Sequence, residues 1–405
     1  MRAAHISASS LKSASGLPRT SSVHMKHKHI RRRGFTMVQY PHELLNGLRH
    51  QKNTIEMYGT QIEIKAIPDE PRPGRLDPRE RASAEEYRRQ TEAGKIKPES
   101  EMTLEEQRLE MGFPGWNMNT VAIHTRYEEI ECSGRKVGIW IYYPRLPVGR
   151  QGRAGLVYLH GGGWIGGAPF DLEGGCRLVA QLADCVVFNI DYALAPEHPY
   201  PAGLDDCFAA IRHIHQNAAR FGVDPEKLAV GGDSAGGNLA ALCALRDRDE
   251  GGRLLKKQFL LYPVVTFSGE GVGDYRWSLD DYDVCDEDRE IILDSLDLGH
   301  PSEEGKPSMG RIEGYYLQHG EDPKGPAVSP MFADPHGLCP AVIVGAEFDG
   351  LRVQDEYYGR LLRGAGVPVR ILRYCGMRHG FFEKLGLVPQ AEDLAHEIAQ
   401  EMKAL

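Results

Sequence analysis

The stretch that decides the fold is Leu228 to Gly236, LAVGGDSAG, near the middle of the chain. Its apolar start predicts a buried strand, and Gly-x-Ser-x-Gly directly after a strand is typical of a sharp turn into a helix. Only small residues fit beside the serine in such a turn, which exposes the hydroxyl of Ser234 at the end of the sheet. A glycine-rich turn around a buried serine is the plainer alternative, and two further segments decide between them.

The first of these segments lies upstream, from Gly155 to Trp164, and reads GLVYLHGGGW. It predicts a buried strand that is followed by three glycines. Backbone N–H groups bind a developing oxyanion best where no side chain crowds them, and losing one such donor typically costs ~10²–10³ in rate. We therefore assign an oxyanion hole to the N–H groups of Gly161 and Gly162, together with that of Ala235 behind Ser234.

The same glycines allow a second interpretation. Gly161 to Gly166, GGGWIG, also fits the dinucleotide-binding pattern G-x-G-x-x-G after a strand. In that motif the glycines open a helix, whereas Gly167 and Pro169 predict a loop here. Asp184 and Asp191 stand near the spacing of a ribose-binding carboxylate, so this alternative stays open but is less favoured.

The second deciding segment lies downstream, where two strands are predicted over Ala341 to Phe348 (AVIVGAEF) and Val367 to Arg373 (VPVRILR). Asp349 directly follows the first strand, and His379 stands in a glycine-flanked loop after the second. With Ser234 they have the chain order Ser, Asp, His that is typical of a nucleophilic triad. All three stand just past a strand, where an open α/β sheet places its site.

The three residues have separate expected roles. Ser234 is expected to attack an acyl carbonyl, His379 to take its proton as general base, and Asp349 to orient the imidazole. Side chains alternate along a strand, so Glu347 would point the same way as Asp349. Glu347 and Asp355 therefore remain competing candidates for the acid, with Asp349 favoured.

Two further segments add to this pattern, namely Asp191 to Ala202 (DYALAPEHPYPA) and Val223 to Glu226 (VDPE). With them the chain resembles the hormone-sensitive-lipase-like esterases, the bacterial family IV group of the α/β-hydrolase superfamily. The resemblance covers roughly residues 120–405. Two positions depart from the family pattern. Ala193 stands where Arg is usual, and Asp349, which matches the family's catalytic acid, is followed by Gly-Leu-Arg-Val instead of Pro-Leu-Arg-Asp.

The resemblance implies an α/β-hydrolase fold with a mostly parallel central sheet flanked by helices and a helical cap. It implies hydrolysis of short- to medium-chain acyl or acetyl esters of small molecules, with neither a metal nor an organic cofactor. Some relatives that have lost the catalytic Ser or His are receptors, and some act as dehydratases, so the retained Ser234 and His379 favour hydrolysis.

Two other functions stay open beside ester hydrolysis. The first is an arylacetamide-type amidase or a serine peptidase. A peptidase of this superfamily usually carries a propeller or a helical gate domain, and the sequence shows no propeller-like repeat. The second is a non-catalytic small-molecule receptor on a hydrolase scaffold, which would bind its ligand without turnover.

Composition limits the partners and the compartment. The 405 residues carry a net charge of −9, although residues 1–36 hold eight Lys or Arg and no acid, so the rest is strongly acidic. Such a body does not suggest nucleic acid or an anionic membrane as partner. The sequence contains no apolar run of about 18 residues, so no transmembrane helix is expected. Eight cysteines without a C-x-x-C pair predict reduced thiols in a cytoplasmic enzyme, which could form a homo-oligomer.

Three segments are expected along the chain. Residues 1–36 form a basic extension that is a disordered arm, a transit-like peptide or sequence upstream of a start at Met37. Residues 37–118 form a helical cap segment, in which Thr103 and Glu106 predict a capping box. Residues 119–405 form the catalytic domain, with an acidic insert at 266–325 as a second cap segment. The insert lacks the spacing of a calcium-binding EF-hand, so a solvated charged surface is expected there.

Overall fold

A ten-stranded sheet organises the part of the chain that the computed structural model describes, which is residues 40–98, 101–113, 115–144, 151–269, 272–296 and 310–405. The basic extension predicted over residues 1–36 lies outside these residues. The strands are β1 (Asn53–Met57), β2 (Thr60–Lys65), β3 (His124–Cys132), β4 (Arg135–Tyr143), β5 (Arg153–Leu159), β6 (Val186–Asp191), β7 (Val223–Asp233), β8 (Lys257–Leu261), β9 (Ala341–Phe348) and β10 (Val369–Arg378).

The strand order is β1-β2-β10-β9-β8-β7-β5-β6-β4-β3. The seven central strands from β2 to β6 pair in parallel, while β3, β4 and β1 pair antiparallel. The central strands β5, β6 and β9 are covered on both faces, so they are near-continuous apolar runs. The predicted mostly parallel central sheet is confirmed.

Helices cover both faces of the sheet. They are α1 (His42–Arg49), α2 (Pro78–Glu92), α3 (Leu104–Glu110), α4 (Glu173–Ala183), α5 (Ala202–Gln216), α6 (Ala218–Phe221), α7 (Ala235–Asp249), α8 (Arg289–Leu296), α9 (Gly310–Tyr316), α10 (Arg352–Gly364) and α11 (Pro389–Lys403).

Strand β5 shows how the two layers arise. Val157 and Leu159 belong to the core that includes apolar residues of α5, α7 and α10. Leu156 and Tyr158 belong to the opposite core, with residues of α4 and α11. Successive side chains of a strand point to opposite faces, so an unbroken apolar run buries both sides. The helical segment before β7 is divided at Asn217 into α5 and α6.

The N-terminal segment differs from the prediction of helices alone. It contains α1, α2 and α3, and also the hairpin β1–β2, whose second strand pairs in parallel with β10. Tyr58 and Gly59 close the hairpin with φ of 54° and 67°, as a two-residue turn requires. Strand β2 (TQIEIK) is a short alternating segment, and its partner β10 lies some three hundred residues away in the chain. No local signal in the sequence therefore reveals this pairing.

Two local predictions, on α3 and on the acidic insert, have clear outcomes. The capping box on α3 is present, because Thr103 Oγ1 accepts from the N–H of Glu106 (3.3 Å) and the Glu106 carboxylate accepts from the N–H of Thr103 (2.7 Å). In the acidic insert, Asp288 is buried between Arg75 and Arg81 instead of facing solvent. Among the described residues, no group of three or more His, Cys, Asp or Glu could hold a metal ion.

No helix within the described ranges is both long and apolar enough to cross a bilayer.

Candidate active site

The turn between β7 and α7 holds Ser234 in a strained conformation, with φ 54° and ψ −121°. The glycines around it have no room for a side chain. A Cβ on Gly236 would lie 2.0 Å from the carbonyl oxygen of Leu159, and one on Gly232 would lie 2.3 Å from the carbonyl oxygen of Gly236. The Gly-x-Ser-x-Gly pattern is therefore a packing requirement of the strand-to-helix turn.

The structure brings together the three residues that the sequence predicts as a triad. The imidazole Nε2 of His379 lies 2.8 Å from Oγ of Ser234, and its Nδ1 lies 2.7 Å from Oδ2 of Asp349. Asp349 follows β9 and His379 follows β10, so both stand at the carboxyl end of the sheet near the end of β7. Asp349 is fully buried, whereas Ser234 and His379 are partly exposed and so reachable from solvent.

The Asp349 loop is fixed by residues that the sequence did not single out for this role. Oδ1 of Asp349 accepts from the N–H of Leu351 (2.9 Å), and the Tyr282 hydroxyl donates to the Asp349 carbonyl (2.8 Å). Trp277 donates its indole N–H to the carbonyl of Gly350 (3.0 Å). Both aromatic residues come from the acidic insert, which therefore anchors the acid. The sequence does not reveal this contact, because neither residue belongs to a motif.

The two competing acids, Glu347 and Asp355, both lie in the described part of the chain, and neither forms a hydrogen bond with the imidazole of His379 there. Glu347 instead accepts a hydrogen bond from the N–H of Gly376 (2.7 Å), and burial raises the pKa of its carboxyl. Asp355 is fully buried, its two carboxyl oxygens have no hydrogen-bond partner among the described residues, and burial raises its pKa far above the usual range. The imidazole Nδ1 has Asp349 as its carboxylate partner instead.

Two opposing effects set the pKa of His379. Burial lowers it because the imidazolium loses water, but the Asp349 carboxylate raises it by charge and by a hydrogen bond. The net effect is a raised pKa. The ring also packs edge-on against Tyr262, with centroids 5.0 Å apart. This environment favours a histidine that accepts and holds a proton.

In the glycine loop after β5, one of the predicted oxyanion donors, the N–H of Gly161, already has an acceptor. The N–H of Gly161 donates to Oδ1 of Asp233 (3.0 Å), and Gly161 is buried. Its N–H is therefore already engaged. Gly162 and Gly163 are partly exposed, with φ of 112° and 60°, and their N–H groups have no acceptor among the described residues. The same holds for the N–H of Ala235, the first residue of α7.

His160 holds the loop from its other side. Its Nδ1–H donates to the carbonyl of Gly161 (2.8 Å), and its ring stacks on Tyr192 at 4.3 Å between centroids. The Tyr192 hydroxyl donates to the carbonyl of His160 (2.7 Å). Burial lowers the pKa of His160 to about 4, so this ring is neutral. It acts as a fixed support for the glycines.

The dinucleotide-binding interpretation of these glycines is wrong. That motif requires the glycines to open a helix, but the residues after Gly163 form turns, and α4 begins only at Glu173. Trp164 lies in this loop, where it stacks on Tyr316 with ring centroids 4.6 Å apart.

Comparisons with known proteins show the family of this chain. A family model described as alpha/beta hydrolase fold matches residues 156–383, more than half of the chain. The carboxylesterase NlhH of Mycobacterium tuberculosis is 37% identical over 261 residues, which span 64% of this chain and 75% of that protein. An arylesterase of Saccharolobus solfataricus is 32% identical over 263 residues, which span 64% and 76%.

Solved structures give the same result. A hyperthermophilic esterase from Pyrobaculum calidifontis superposes with a TM-score of 0.66 at 29% identity, and the match covers 82% of this chain and 98% of that one. The chain therefore belongs to the alpha/beta-hydrolase family, among its hormone-sensitive-lipase-like esterases.

Proposed function

We propose that this protein hydrolyses small-molecule carboxylic esters with short- to medium-chain acyl groups, through an acyl-enzyme on Ser234. The observation that carries the proposal is the continuous hydrogen-bonded relay of Ser234, His379 and Asp349, with distances of 2.8 Å and 2.7 Å. The relatives named carboxylesterase and arylesterase support the same reaction class.

In the first half of the reaction, Oγ of Ser234 attacks the ester carbonyl while Nε2 of His379 takes its proton. Asp349 accepts the Nδ1–H of His379 and stabilises the imidazolium. His379 then gives the proton to the leaving alcohol, and the C–O bond breaks to leave an acyl-serine. In the second half, His379 activates a water in the same way, and the acid and free Ser234 are released.

The oxyanion of each tetrahedral intermediate needs donors that are free before the substrate arrives. We assign this role to the N–H groups of Gly162, Gly163 and Ala235, in place of the set that includes Gly161. Gly161 keeps a positioning role through its bond to Asp233. A Cβ on Gly162 would lie 2.2 Å from the carbonyl oxygen of Gly166, so a side chain there would displace the hole.

A series of p-nitrophenyl esters, from acetate to palmitate, tests the proposal. We expect turnover that is greatest for the short chains and is lost in Ser234→Ala without loss of folding. Turnover retained by Ser234→Ala would contradict the nucleophile. Binding without any turnover by the unmodified protein would instead support a small-molecule receptor, and cleavage of arylacetamides in preference to esters would support an amidase. A cytoplasmic location and a homo-oligomer stay predictions.

A further inference from the structure

Two cationic residues stand on either side of His379 in the chain and meet the same buried carboxylate. Arg378 is the last residue of β10, and Lys384 is the last residue of the short 3₁₀ helix over residues 381–384. Nε of Arg378 lies 2.7 Å from Oε1 of Glu80, and Nζ of Lys384 lies 2.6 Å from Oε1 and 2.7 Å from Oε2 of Glu80. Glu80 is fully buried on α2, some three hundred residues away in the chain.

The start of α2 is attached to the same loop by a second set of bonds. Asp77 caps α2 by accepting from the N–H of Arg79 (2.9 Å), and its own N–H donates to the carbonyl of Gly376 (3.0 Å). Gln390 on α11 donates to Oδ2 of Asp77 (2.8 Å). Gly376 has φ of 71°, and a Cβ there would lie 2.6 Å from the backbone N of Asp77. The helix end and the loop are therefore in direct contact.

Glu80 is charged in this setting. Burial raises the pKa of its carboxyl, but the charges of Lys384 and Arg378 and their hydrogen bonds lower it to about 2. A buried carboxylate with two cations balances only one of them, and removing it leaves both uncompensated, including Lys384, whose charge already lowers the pKa of His379. Because ionic interactions are weakly screened inside a protein, this change acts on His379 directly.

Four other groups face His379. The carboxylate of Asp349 after β9 and that of Asp233 at the end of β7 raise its pKa, and the ammonium of Lys384 lowers it. The ring of Tyr262 after β8 packs on it edge-on. Since the cation of Lys384 already opposes protonation, its counter-charge affects how readily the imidazole holds a proton.

The geometry points to Glu80 as a positioning residue for His379, which fixes the loop that carries the imidazole and neutralises the cations that bracket it. This inference rests on the proposed function, in which His379 is the general base. It gives the N-terminal segment a second role in catalysis besides that of a cap, because α2 supplies a buried charge to the catalytic loop.

The first test is Glu80→Gln, read by the pH dependence of ester hydrolysis and of the rate at which a p-nitrophenyl alkylphosphonate inactivates the enzyme. We expect the acidic limb of both profiles to move to lower pH by about half a unit or more, because the imidazolium then faces uncompensated cations. We also expect kcat to fall by about ten- to a hundred-fold with KM little changed, because a displaced base loses alignment.

Arg88→Gln is the matched control. Arg88 lies on the same helix and forms an exposed ion pair with Glu290 (2.9 Å). Its profile and kcat should equal those of the unmodified protein. A shift of the same size in Arg88→Gln would show that any disturbance of α2 has this effect and would overturn the inference.

Lys384→Met is the second variant, and it keeps the inference testable if Glu80→Gln does not fold. It removes one cation while Glu80 still pairs with Arg378, so the acidic limb should move to higher pH, opposite to Glu80→Gln. A folded Glu80→Gln with an unchanged profile, or Lys384→Met without an upward shift, would overturn the inference. Failure of the proposed function would appear in the unmodified protein as an absence of turnover, so the two failures are distinguishable.

Discussion

The backbone N–H of Gly161 donates to the side-chain carboxylate of Asp233, at 3.0 Å from Oδ1. This bond joins the glycine loop to the residue that precedes Ser234. The hydroxyl of Tyr158 donates to the same oxygen at 3.1 Å, and a Cβ on Gly161 would lie 2.5 Å from Oδ2 of Asp233. The oxyanion loop and the nucleophile turn are therefore held as one unit by a single buried carboxyl.

Asp233 predicts a specific dependence of stability on pH. Burial raises its pKa to about 7, although Tyr158, His379 and Gly161 oppose the increase. The folded state then binds this proton more tightly than the unfolded state. The stability from this group is complete below the unfolded pKa of about 4 and is lost as pH rises through about 7.

Asp233→Asn removes this titration while it keeps an acceptor for Gly161. We expect the melting temperature of the unmodified protein to fall by a few degrees relative to that of the variant between pH 5 and pH 7, since each pH unit between the unfolded and folded pKa values is worth about 1.4 kcal/mol, and to level off above pH 7. Calorimetry at four pH values measures the difference. The control is Glu226→Gln, which alters an exposed carboxylate on the same strand. If the melting temperatures of Asp233→Asn and of the unmodified protein changed in parallel with pH, the expectation would be wrong.

The assignment of the acid predicts unequal effects of two neighbouring substitutions. Asp349→Asn should lower kcat by about 10⁴, because the amide no longer holds the reactive imidazole tautomer. Glu347→Gln should cost far less, since that carboxyl accepts from the N–H of Gly376 and not from His379. Steady-state kinetics at one pH compare them. A mild effect of Asp349→Asn beside a severe one of Glu347→Gln would transfer the role to Glu347.

The packing of the nucleophile turn predicts a contrast between two glycines. Gly236→Ala places a methyl group 2.0 Å from a backbone oxygen and should destabilise the fold by about 3 kcal/mol or more. Gly364 ends α10 with nothing within 4 Å of an added Cβ, so Gly364→Ala should be neutral or stabilise by up to about 1 kcal/mol. Urea unfolding measures both. Equal stabilities would show that the turn can relax.

The N-terminal hairpin carries a buried lysine, Lys65, on which we expect the stability of the fold to depend. Nζ of Lys65 on β2 lies 3.0 Å from Asp393 and 2.5 Å from Glu397, both on α11. Lys65→Met leaves Asp393 without a cation, with only the hydroxyl of Tyr374 as donor among the described residues, while Glu397 keeps Arg370 at 2.7 Å, and it should cost about 3 kcal/mol. Lys136→Met, which breaks an exposed pair with Glu129 on the opposite edge of the sheet, should cost about 1 kcal/mol or less. A small loss for Lys65→Met would show that the hairpin contributes little to the fold.

The sheet and the positions of Ser234, Asp349 and His379 were predictable because their signals are local. Each residue follows an apolar run, and parallel strands end at one edge, which places residues from distant segments side by side. No local signal distinguishes which glycine N–H groups are free to bind the oxyanion. Three successive glycines give no pattern that separates them, and the N–H of Gly161 is engaged only because the Asp233 carboxyl turns towards it.

The remaining differences are also contacts between distant segments. The strand β2 is defined by its pairing with β10, and Glu80 acquires its role only where α2 meets the loop of His379. In the sequence, Glu80 is one of several acids in a polar helix. Such partners are determined by the tertiary fold, so a single sequence without its structure does not reveal them.

The measurement that tests the central claim most directly is covalent capture of the nucleophile. The protein is treated with a p-nitrophenyl alkylphosphonate, digested and examined by mass spectrometry, with Ser234→Ala treated in parallel and checked for unchanged thermal unfolding. We expect one phosphonyl group per chain, on Ser234, and none on the variant. Ester turnover without an adduct on Ser234, or the same adduct level in Ser234→Ala, would contradict it.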